Sequence, residues 1–99
     1  ASSKAAVNQF TRSLASEWGK YNIRVNAILP WFIKTPLTED YLSNNENYTK
    51  IVGRTPLNRI GMPDEVSSLA AYLAMDVSSY ITGQSISVDG GLSGTVFGR

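Results

Sequence analysis

Residues 23–30 read IRVNAILP, and this stretch decides the fold class. It is short and rich in branched side chains, which is typical of a β-strand, and Pro30 ends it. A second strand is predicted over residues 84–88, where polar and apolar residues alternate before a turn at residues 89–91. Because two strands alone do not form a stable open sheet, we expect further strands from elsewhere in the protein.

Two clear helical patterns accompany the strands. The first runs from residue 1 to Trp18, and Gly19 is its predicted stop because glycine adopts the left-handed conformation at a helix end at little cost. The second begins at Pro63, with two acidic residues at the positive end of the helix dipole, and is expected to end near Asp76. One helical stripe of the first pattern consists of Val7, Phe10, Leu14 and Trp18.

The segment from Pro30 to Pro56 has a looser pattern. Its three prolines and the NNEN run at residues 44–47 favour a loop with one or two short helices. An irregular segment of this length inside a compact domain is usually functional, often as an active-site lid. The whole order of helix, strand, short helices, helix and strand predicts an α/β fold with a parallel sheet.

The composition excludes several kinds of site. The chain has no cysteine and no histidine. We therefore expect neither thiolate chemistry, nor a Ser-His-Asp arrangement, nor a metal site of the common zinc type. The formal net charge is +1, from nine Lys+Arg against eight Asp+Glu. Without a basic block, nucleic acid and an acidic membrane are poor candidates as partners.

The compartment is predicted from what the sequence lacks. No apolar run is long enough to cross a bilayer, and the first residues have no signal-peptide pattern. We therefore expect a cytoplasmic protein. A helix that begins at residue 1 without an entry loop suggests a chain cut from something longer, so an organelle remains the alternative.

Lysine, tyrosine, serine and carboxylates are left to carry any chemistry. Composition alone favours reading Lys4 as an ordinary solvated helix lysine. The glycines Gly90, Gly91 and Gly94 do not match the G-x-G-x-x-G spacing of a phosphate loop, and no helix follows them. Pattern and spacing therefore predict only a part of an α/β domain.

Several short sequence segments resemble those of the short-chain dehydrogenase/reductase family, and together they cover nearly the whole chain. The matching segments, in order and at family spacing, are ASSKAAV at 1–7, IRVNAILP at 23–30, IKTPL at 33–37, RIGMPDEV at 59–66, and YITGQ with VDGG at 80–91. Residues 8–18, Trp31 and residues 65–69 carry a narrower likeness to plant tropinone reductase-like enzymes.

The resemblance implies that residues 1–99 are the C-terminal portion of a single NAD(P)-binding Rossmann-fold domain, a doubly wound parallel sheet. The implied activity is NADP-dependent, or alternatively NAD-dependent, reduction or oxidation of a small carbonyl or alcohol. Lys4 matches the catalytic lysine of the Tyr-x-x-x-Lys motif. The tyrosine would directly precede Ala1, and the catalytic serine and glycine-rich turn would lie further upstream. We therefore expect these 99 residues alone to be inactive.

The resemblance also implies a set of binding residues. Many family members have glycine at the position of Trp31, where this chain has a large ring that borders the expected substrate pocket. The implied cofactor-binding residues are Lys4, Pro30, Trp31, Ile33, Thr35 and Leu37. The implied substrate residues are Trp31, Leu37, Tyr41, Leu42, Val96 and Phe97.

Two alternatives stay open for partners and role. Family members commonly pair through the first helix and the last helix and strand, which implies a homodimer or homotetramer. The stripe on the first helix serves either that interface or the core. The alternative to an enzyme is a non-catalytic truncated homologue that acts as an interaction or oligomerisation module.

Overall fold

The computed structural model describes residues 2–94 and has the predicted α/β order of elements. The predicted wall residues Val96 and Phe97 lie outside this range. The helices are α1 (Ser2–Trp18), α2 (Pro36–Ser43), α3 (Asn45–Gly53) and α4 (Pro63–Ala74), and the strands are β1 (Ala27–Pro30) and β2 (Ser85–Val88). The short 3₁₀ turns are Gly19–Tyr21, Asp76–Ser78 and Leu92–Gly94.

The two strands pair in parallel. The Ala27 N–H donates to the Gln84 carbonyl at 2.8 Å, and the Trp31 N–H donates to the Val88 carbonyl at 3.1 Å. Residue numbers rise together along both strands, which is the parallel arrangement. The predicted parallel sheet is therefore confirmed.

The first strand is shorter than the predicted range, and before Ala27 side chains take the place of some of the bonds between the two segments, although the Gly83 N–H still donates to the Val25 carbonyl at 2.7 Å. The Val25 N–H donates to the Thr82 hydroxyl at 3.0 Å. The Asn26 side chain accepts from the Gln84 N–H at 3.1 Å and donates to the Ile81 carbonyl at 3.1 Å. These bonds satisfy backbone groups outside the ladder, so regular pairing starts only at Ala27.

Helix α1 ends at Trp18 as predicted, but Gly19 is not the left-handed residue. Gly19 begins a 3₁₀ turn, and Asn22 adopts the left-handed conformation with φ 62°. Asparagine visits this region readily because its short polar side chain bonds locally. Within the predicted stripe Phe10 is 66% exposed, whereas Ala15, which lies outside the stripe, is buried.

The segment between the strands contains two short helices, as predicted. Thr35 caps α2, whose first residue is Pro36, and the Asn44 side chain caps α3 by accepting from the Asn47 N–H at 3.1 Å. A capping side chain satisfies a backbone donor that the helix itself leaves without a partner. The two helices pack on each other, and each contributes one buried apolar residue, Leu42 and Ile51.

Helix α4 begins at Pro63 as predicted and ends at Ala74, two residues before the expected Asp76. Its last carbonyls are satisfied from outside the helix. The Arg24 guanidinium donates to the Leu73 carbonyl at 2.7 Å and the Ile81 carbonyl at 3.2 Å, while the buried Ser78 hydroxyl lies 2.8 Å from the Tyr72 carbonyl. A cation at the C-terminus of a helix is also favoured by the helix dipole.

The chain divides into two compact units. One falls within Ala1–Leu29 and Ser68–Ile86, and the other within Pro30–Ser67 and Ser87–Arg99. Arg24 and its partners belong to the first unit. Helix α3 and the segment that follows β1 belong to the second. In residues 2–94, no helix combines the length and apolar character that a bilayer crossing requires.

We expect Arg24→Lys to lower the free energy of unfolding by about 1–3 kcal/mol, because one ammonium does not reproduce a forked guanidinium that binds two carbonyls. Urea unfolding of the two proteins measures the difference. Arg12→Lys on the exposed face of α1 is the matched control and should leave stability within about 0.5 kcal/mol. Equal midpoints for both variants would contradict this role of Arg24.

Candidate functional site

The carboxyl ends of β1 and β2 open onto a cleft of about 500 Å³. In open α/β sheets, ligands bind beyond the carboxyl ends of the strands, so this is the expected position for a site. The lining combines aromatic rings with polar and charged groups. It includes Trp31, Phe32, Thr55, Arg59, Glu65 and Asp89.

Trp31 is held in place by a buried hydroxyl. Its indole N–H donates to the Thr55 hydroxyl at 3.0 Å, and the same hydroxyl donates to the Ile51 carbonyl at 2.8 Å. Thr55 is only 1% exposed. The Arg54 guanidinium lies 5.7 Å from the centre of the Trp31 ring, a cation–π distance. The strand end is therefore tied to the residues that follow α3.

Phe32 connects Trp31 to helix α2. Its ring meets the Trp31 ring edge to face at 4.9 Å between centroids. On its other side it stacks on Tyr41 at 5.7 Å, with 25° between the planes. Both geometries are favourable for aromatic pairs. The structure therefore brings two predicted substrate residues, Trp31 and Tyr41, into one row of rings.

The backbone after β1 is fixed by an isolated parallel bridge between Ile33 and Gly61. The Lys34 N–H donates to the Gly61 carbonyl at 2.9 Å, and the Gly61 N–H donates to the Phe32 carbonyl at 2.9 Å. In a parallel ladder the residue flanked by these two bonds turns its own N–H and carbonyl the other way. The polar backbone groups of Ile33 therefore face away from Gly61.

Thr38, which was not predicted from the sequence as a functional residue, completes the cap of α2. Its hydroxyl donates to the Ile33 carbonyl at 2.6 Å and accepts from the Thr35 N–H at 3.0 Å. The Thr35 hydroxyl in turn accepts from the Thr38 N–H at 3.3 Å, which closes a capping box. The usual sequence signature of a capping box is Ser or Thr followed three residues later by Glu or Gln, and here Thr38 stands in the place of the Glu or Gln.

The remaining predicted residues lie in different surroundings. Lys4 is half-buried on α1 in the first unit, and Pro30 is the exposed last residue of β1. On α2, Leu37 is 91% exposed, whereas Leu42 is buried. Leu42 lines a different cleft of about 500 Å³, together with Tyr48 of α3. Their cofactor and substrate roles stay predictions.

An ion pair stands at the start of α4 and borders the cleft. The Arg59 guanidinium grips both carboxylate oxygens of Glu65, at 2.9 and 2.8 Å, and Glu65 also accepts from the Met62 N–H at 2.9 Å. The hydrogen bonds from Arg59 and then from Met62 lower the pKa of Glu65 from 4.5 to about 2. The same pairing raises the pKa of Arg59. This rim of the cleft is therefore an exposed ion pair that is charged at neutral pH.

Asp89 organises the turn that follows β2. Its two carboxylate oxygens accept from the Gly91 N–H at 3.0 Å and the Ser93 N–H at 2.9 Å. Gly90 in this turn has φ +63°, and a Cβ built there would lie 2.6 Å from the Thr55 methyl. The turn therefore packs directly on the residue that holds Trp31.

The comparison with known proteins identifies the family. A family model described as Enoyl-(Acyl carrier protein) reductase matches residues 1–93. The chain belongs to the short-chain dehydrogenase/reductase family of oxidoreductases. The predicted resemblance to this family is confirmed, and so is the predicted Rossmann-type fold class.

Plant tropinone reductase homologues are among the relatives of this short-chain dehydrogenase/reductase chain. One from Arabidopsis thaliana, described as chloroplastic, is 56% identical over 92 residues, which are 93% of this chain and 29% of that protein. One from Datura stramonium is 53% identical over 94 residues, which are 92% of this chain and 35% of that protein. The chain thus spans about a third of the length of these curated relatives.

Solved structures of the family superpose well on the chain. A 4-hydroxyisoleucine dehydrogenase in complex with NADH has a TM-score of 0.88 and 39% identity, with 95% of this chain and 39% of that chain covered. A gluconate 5-dehydrogenase of Burkholderia cenocepacia in complex with NADP and tartrate has a TM-score of 0.85 and 32% identity, with 96% and 37% covered.

We expect Gly90→Ala to lower the free energy of unfolding by about 2 kcal/mol or more. The new methyl group would both strain a left-handed backbone and press on the buried Thr55. Chemical denaturation measures the loss. Gly53→Ala, where a Cβ meets nothing within 4 Å, is the control and should be neutral or slightly stabilising. A Gly90→Ala protein as stable as the control would show that the turn tolerates a side chain.

The lowered pKa of Glu65 predicts a pH dependence of stability. The stabilisation from its ionised form is fully present above the unfolded-state pKa of 4.5 and is lost as the pH falls toward about 2. Between these values, the free energy of unfolding should therefore fall more steeply for the unaltered protein than for Glu65→Gln. Glu17→Gln, at an exposed position of α1, is the control. Parallel curves for the unaltered protein and Glu65→Gln would exclude the ion pair as the cause.

Proposed function

We propose that the protein is an NADP(H)-dependent, or alternatively NAD(H)-dependent, reductase or dehydrogenase of small carbonyl and alcohol compounds, similar to tropinone reductase. In this proposal, residues 1–99 are the C-terminal portion of one Rossmann-fold domain. The observation that carries the proposal is the orientation of the Ile33 backbone at the carboxyl end of β1, within a chain that belongs to this family of oxidoreductases.

The groups after β1 fit a nicotinamide carboxamide. A carboxamide offers one acceptor oxygen and one NH₂ donor, and its natural complement is a backbone N–H beside a carbonyl. Ile33 turns both groups away from Gly61, and its carbonyl, which accepts from Thr38, retains a second lone pair. We propose that Ile33 binds the carboxamide through its backbone, with Pro30, Trp31 and Leu37 bordering the ring.

The Thr35 hydroxyl fits a second contact to the cofactor. The hydrogen of the Thr38 hydroxyl is committed to the Ile33 carbonyl at 2.6 Å, and the Thr35 oxygen accepts from the Thr38 N–H. The hydrogen of Thr35, which has the Thr38 hydroxyl oxygen 3.3 Å away in the structure, would then turn toward a carboxamide or phosphate oxygen when the cofactor binds. The capping box places this hydroxyl at the N-terminus of α2, which itself favours anionic groups.

Lys4 supplies a fixed positive charge in this proposal. When bound, the cofactor supplies or accepts the hydride. In the full-length protein the proposal requires a tyrosine directly before Ala1, one helical turn from Lys4, as the proton donor to the substrate oxygen. A free phenol has a pKa of about 10, and a neighbouring ammonium favours its ionised form, which eases proton exchange near neutral pH. In this proposal the same ammonium would also bind the nicotinamide ribose hydroxyls.

Assembly and compartment belong to the same proposal. Exposed apolar side chains on α1, with Phe10 the most exposed of the predicted stripe, support packing against a second subunit in a homodimer or homotetramer. The cytoplasm is the proposed compartment from the sequence. The Arabidopsis relative described as chloroplastic supports an organelle as the alternative.

The test is an assay of the full-length protein with NADPH and NADH against small cyclic and linear ketones, tropinone among them. We expect turnover with at least one ketone. Lys4→Met should lower kcat by about 10²–10⁴-fold and move the pH–rate profile to higher pH, because the phenol regains its ordinary pKa. Lys20→Met, at an exposed lysine after the same helix, is the control. A protein that oxidises neither cofactor, or a Lys4→Met protein with full activity, would refute the proposal.

A further inference from the structure

We propose that Thr55 is a positioning residue that sets the shape of the substrate pocket through a row of three rings. Its buried hydroxyl fixes Trp31, which fixes Phe32, which fixes Tyr41. This inference rests on the proposed function and on the prediction, made from the family resemblance, that Tyr41 is a wall residue of the substrate pocket. The row itself lies entirely within the second compact unit, and its geometry holds independently of that function.

The Thr55 hydroxyl has a defined direction because it has only one hydrogen. That hydrogen goes to the Ile51 carbonyl at 2.8 Å, in the last turn of α3. The oxygen is then left as an acceptor for the Trp31 indole N–H at 3.0 Å. Replacing the hydroxyl by a methyl group would leave the indole N–H without this acceptor, which costs free energy, while the Ile51 carbonyl would keep the Arg54 N–H at 3.2 Å.

Thr55 has little freedom to shift and relax. It is 1% exposed, and the turn at Gly90 lies so close that a Cβ there would come within 2.6 Å of its methyl group. The residues just after Thr55 are also hydrogen-bonded to this turn, since the Leu57 N–H donates to the Gly90 carbonyl at 3.0 Å. A side chain enclosed in this way is suited to act as a fixed reference point for its neighbours.

Contacts between three aromatic rings connect Thr55 to the surface of α2. The Trp31 ring is anchored at its N–H edge and lies beside the Arg54 guanidinium, so it cannot rotate without breaking the hydrogen bond. Phe32 packs edge to face on it at 4.9 Å. Tyr41 stacks on Phe32 at 5.7 Å and is itself exposed. The row thus runs from a buried hydroxyl to an exposed ring on α2.

The functional consequence is selection by size. A Tyr41 ring held at one place defines a pocket wall of fixed width, so a compact ketone meets a preformed surface. If the rings are no longer held in place, compact substrates bind less well. The pocket wall must then become ordered on binding, and this costs free energy. Bulkier ketones gain access to the same site. Thr55 should therefore affect KM and substrate preference more than kcat.

The experiment compares Thr55→Val, Thr55→Ser and Trp31→Phe in the full-length protein. Thr55→Val keeps the shape and removes the hydroxyl, and Thr55→Ser keeps the hydroxyl. Trp31→Phe removes the indole donor together with part of the ring and leaves the Thr55–Ile51 bond intact, so it serves even if Thr55→Val fails to fold. Thr49→Val, at an exposed position of α3, is the matched control.

Two readouts are measured. The first is KM and kcat for ketones of increasing ring size, and the second is the NMR signal of the Tyr41 ring. We expect Thr55→Val and Trp31→Phe to raise KM for the smallest ketone about three- to tenfold. For Thr55→Val, whose side chain is outside the proposed cofactor contacts, kcat should stay within about twofold. Both variants should also shift the Tyr41 signal. Thr55→Ser should restore both readouts, and the double variant should be no worse than either single one.

The inference is overturned if Thr55→Val and Trp31→Phe leave both the ring-size preference and the Tyr41 signal unchanged. A drop in kcat without a change in KM would also overturn it, because it would place Thr55 in the chemical step. If the unaltered protein turns over no ketone, the proposed function fails, and the Tyr41 signal alone then decides whether Thr55 positions the row.

Discussion

The parallel pairing of β1 with β2 is the constraint on which the rest of the structure depends. Its register is fixed near both ends, by the bonds from Ala27 to Gln84 and from Trp31 to Val88. The two chains therefore leave the sheet side by side, and Trp31 emerges next to the turn that contains Gly90. A slip of one residue would turn every side chain to the opposite face and put Phe32 where Trp31 stands.

Polar anchors position the elements more than a large apolar core does. Among the described residues, the buried apolar side chains are Ala15, Leu42 and Ile51, and the buried polar ones are Thr11, Thr55 and Ser78. Each of these three hydroxyls bonds a helix carbonyl. A buried hydrogen bond adds only about 1 kcal/mol when it is made, but leaving a buried group without its partner costs about 1–3 kcal/mol. Such anchors therefore specify one arrangement.

Local chemistry made the helices and strands predictable. Pro63 begins α4 because its ring suits the first helical position, and the prolines with the NNEN run correctly indicated short helices between the strands. Gly19 was the wrong choice for the left-handed residue, because the chain first makes a 3₁₀ turn and Asn22 takes that conformation. The bond from Trp31 to Thr55 spans 24 positions and depends on tertiary packing, so no local pattern reveals it.

The functional roles of Lys4 and Trp31 are assigned on different grounds. Lys4 is half-buried on its helix, as many lysines are. Only the residue one turn earlier distinguishes it from them, since residues four apart lie on the same helix face. Its role therefore follows from the family motif. Trp31 is distinguished by its own contacts, namely an anchored N–H edge and a row of rings. Lys4 belongs to the first compact unit and Trp31 to the second, so the role of each residue is tested by its own measurements.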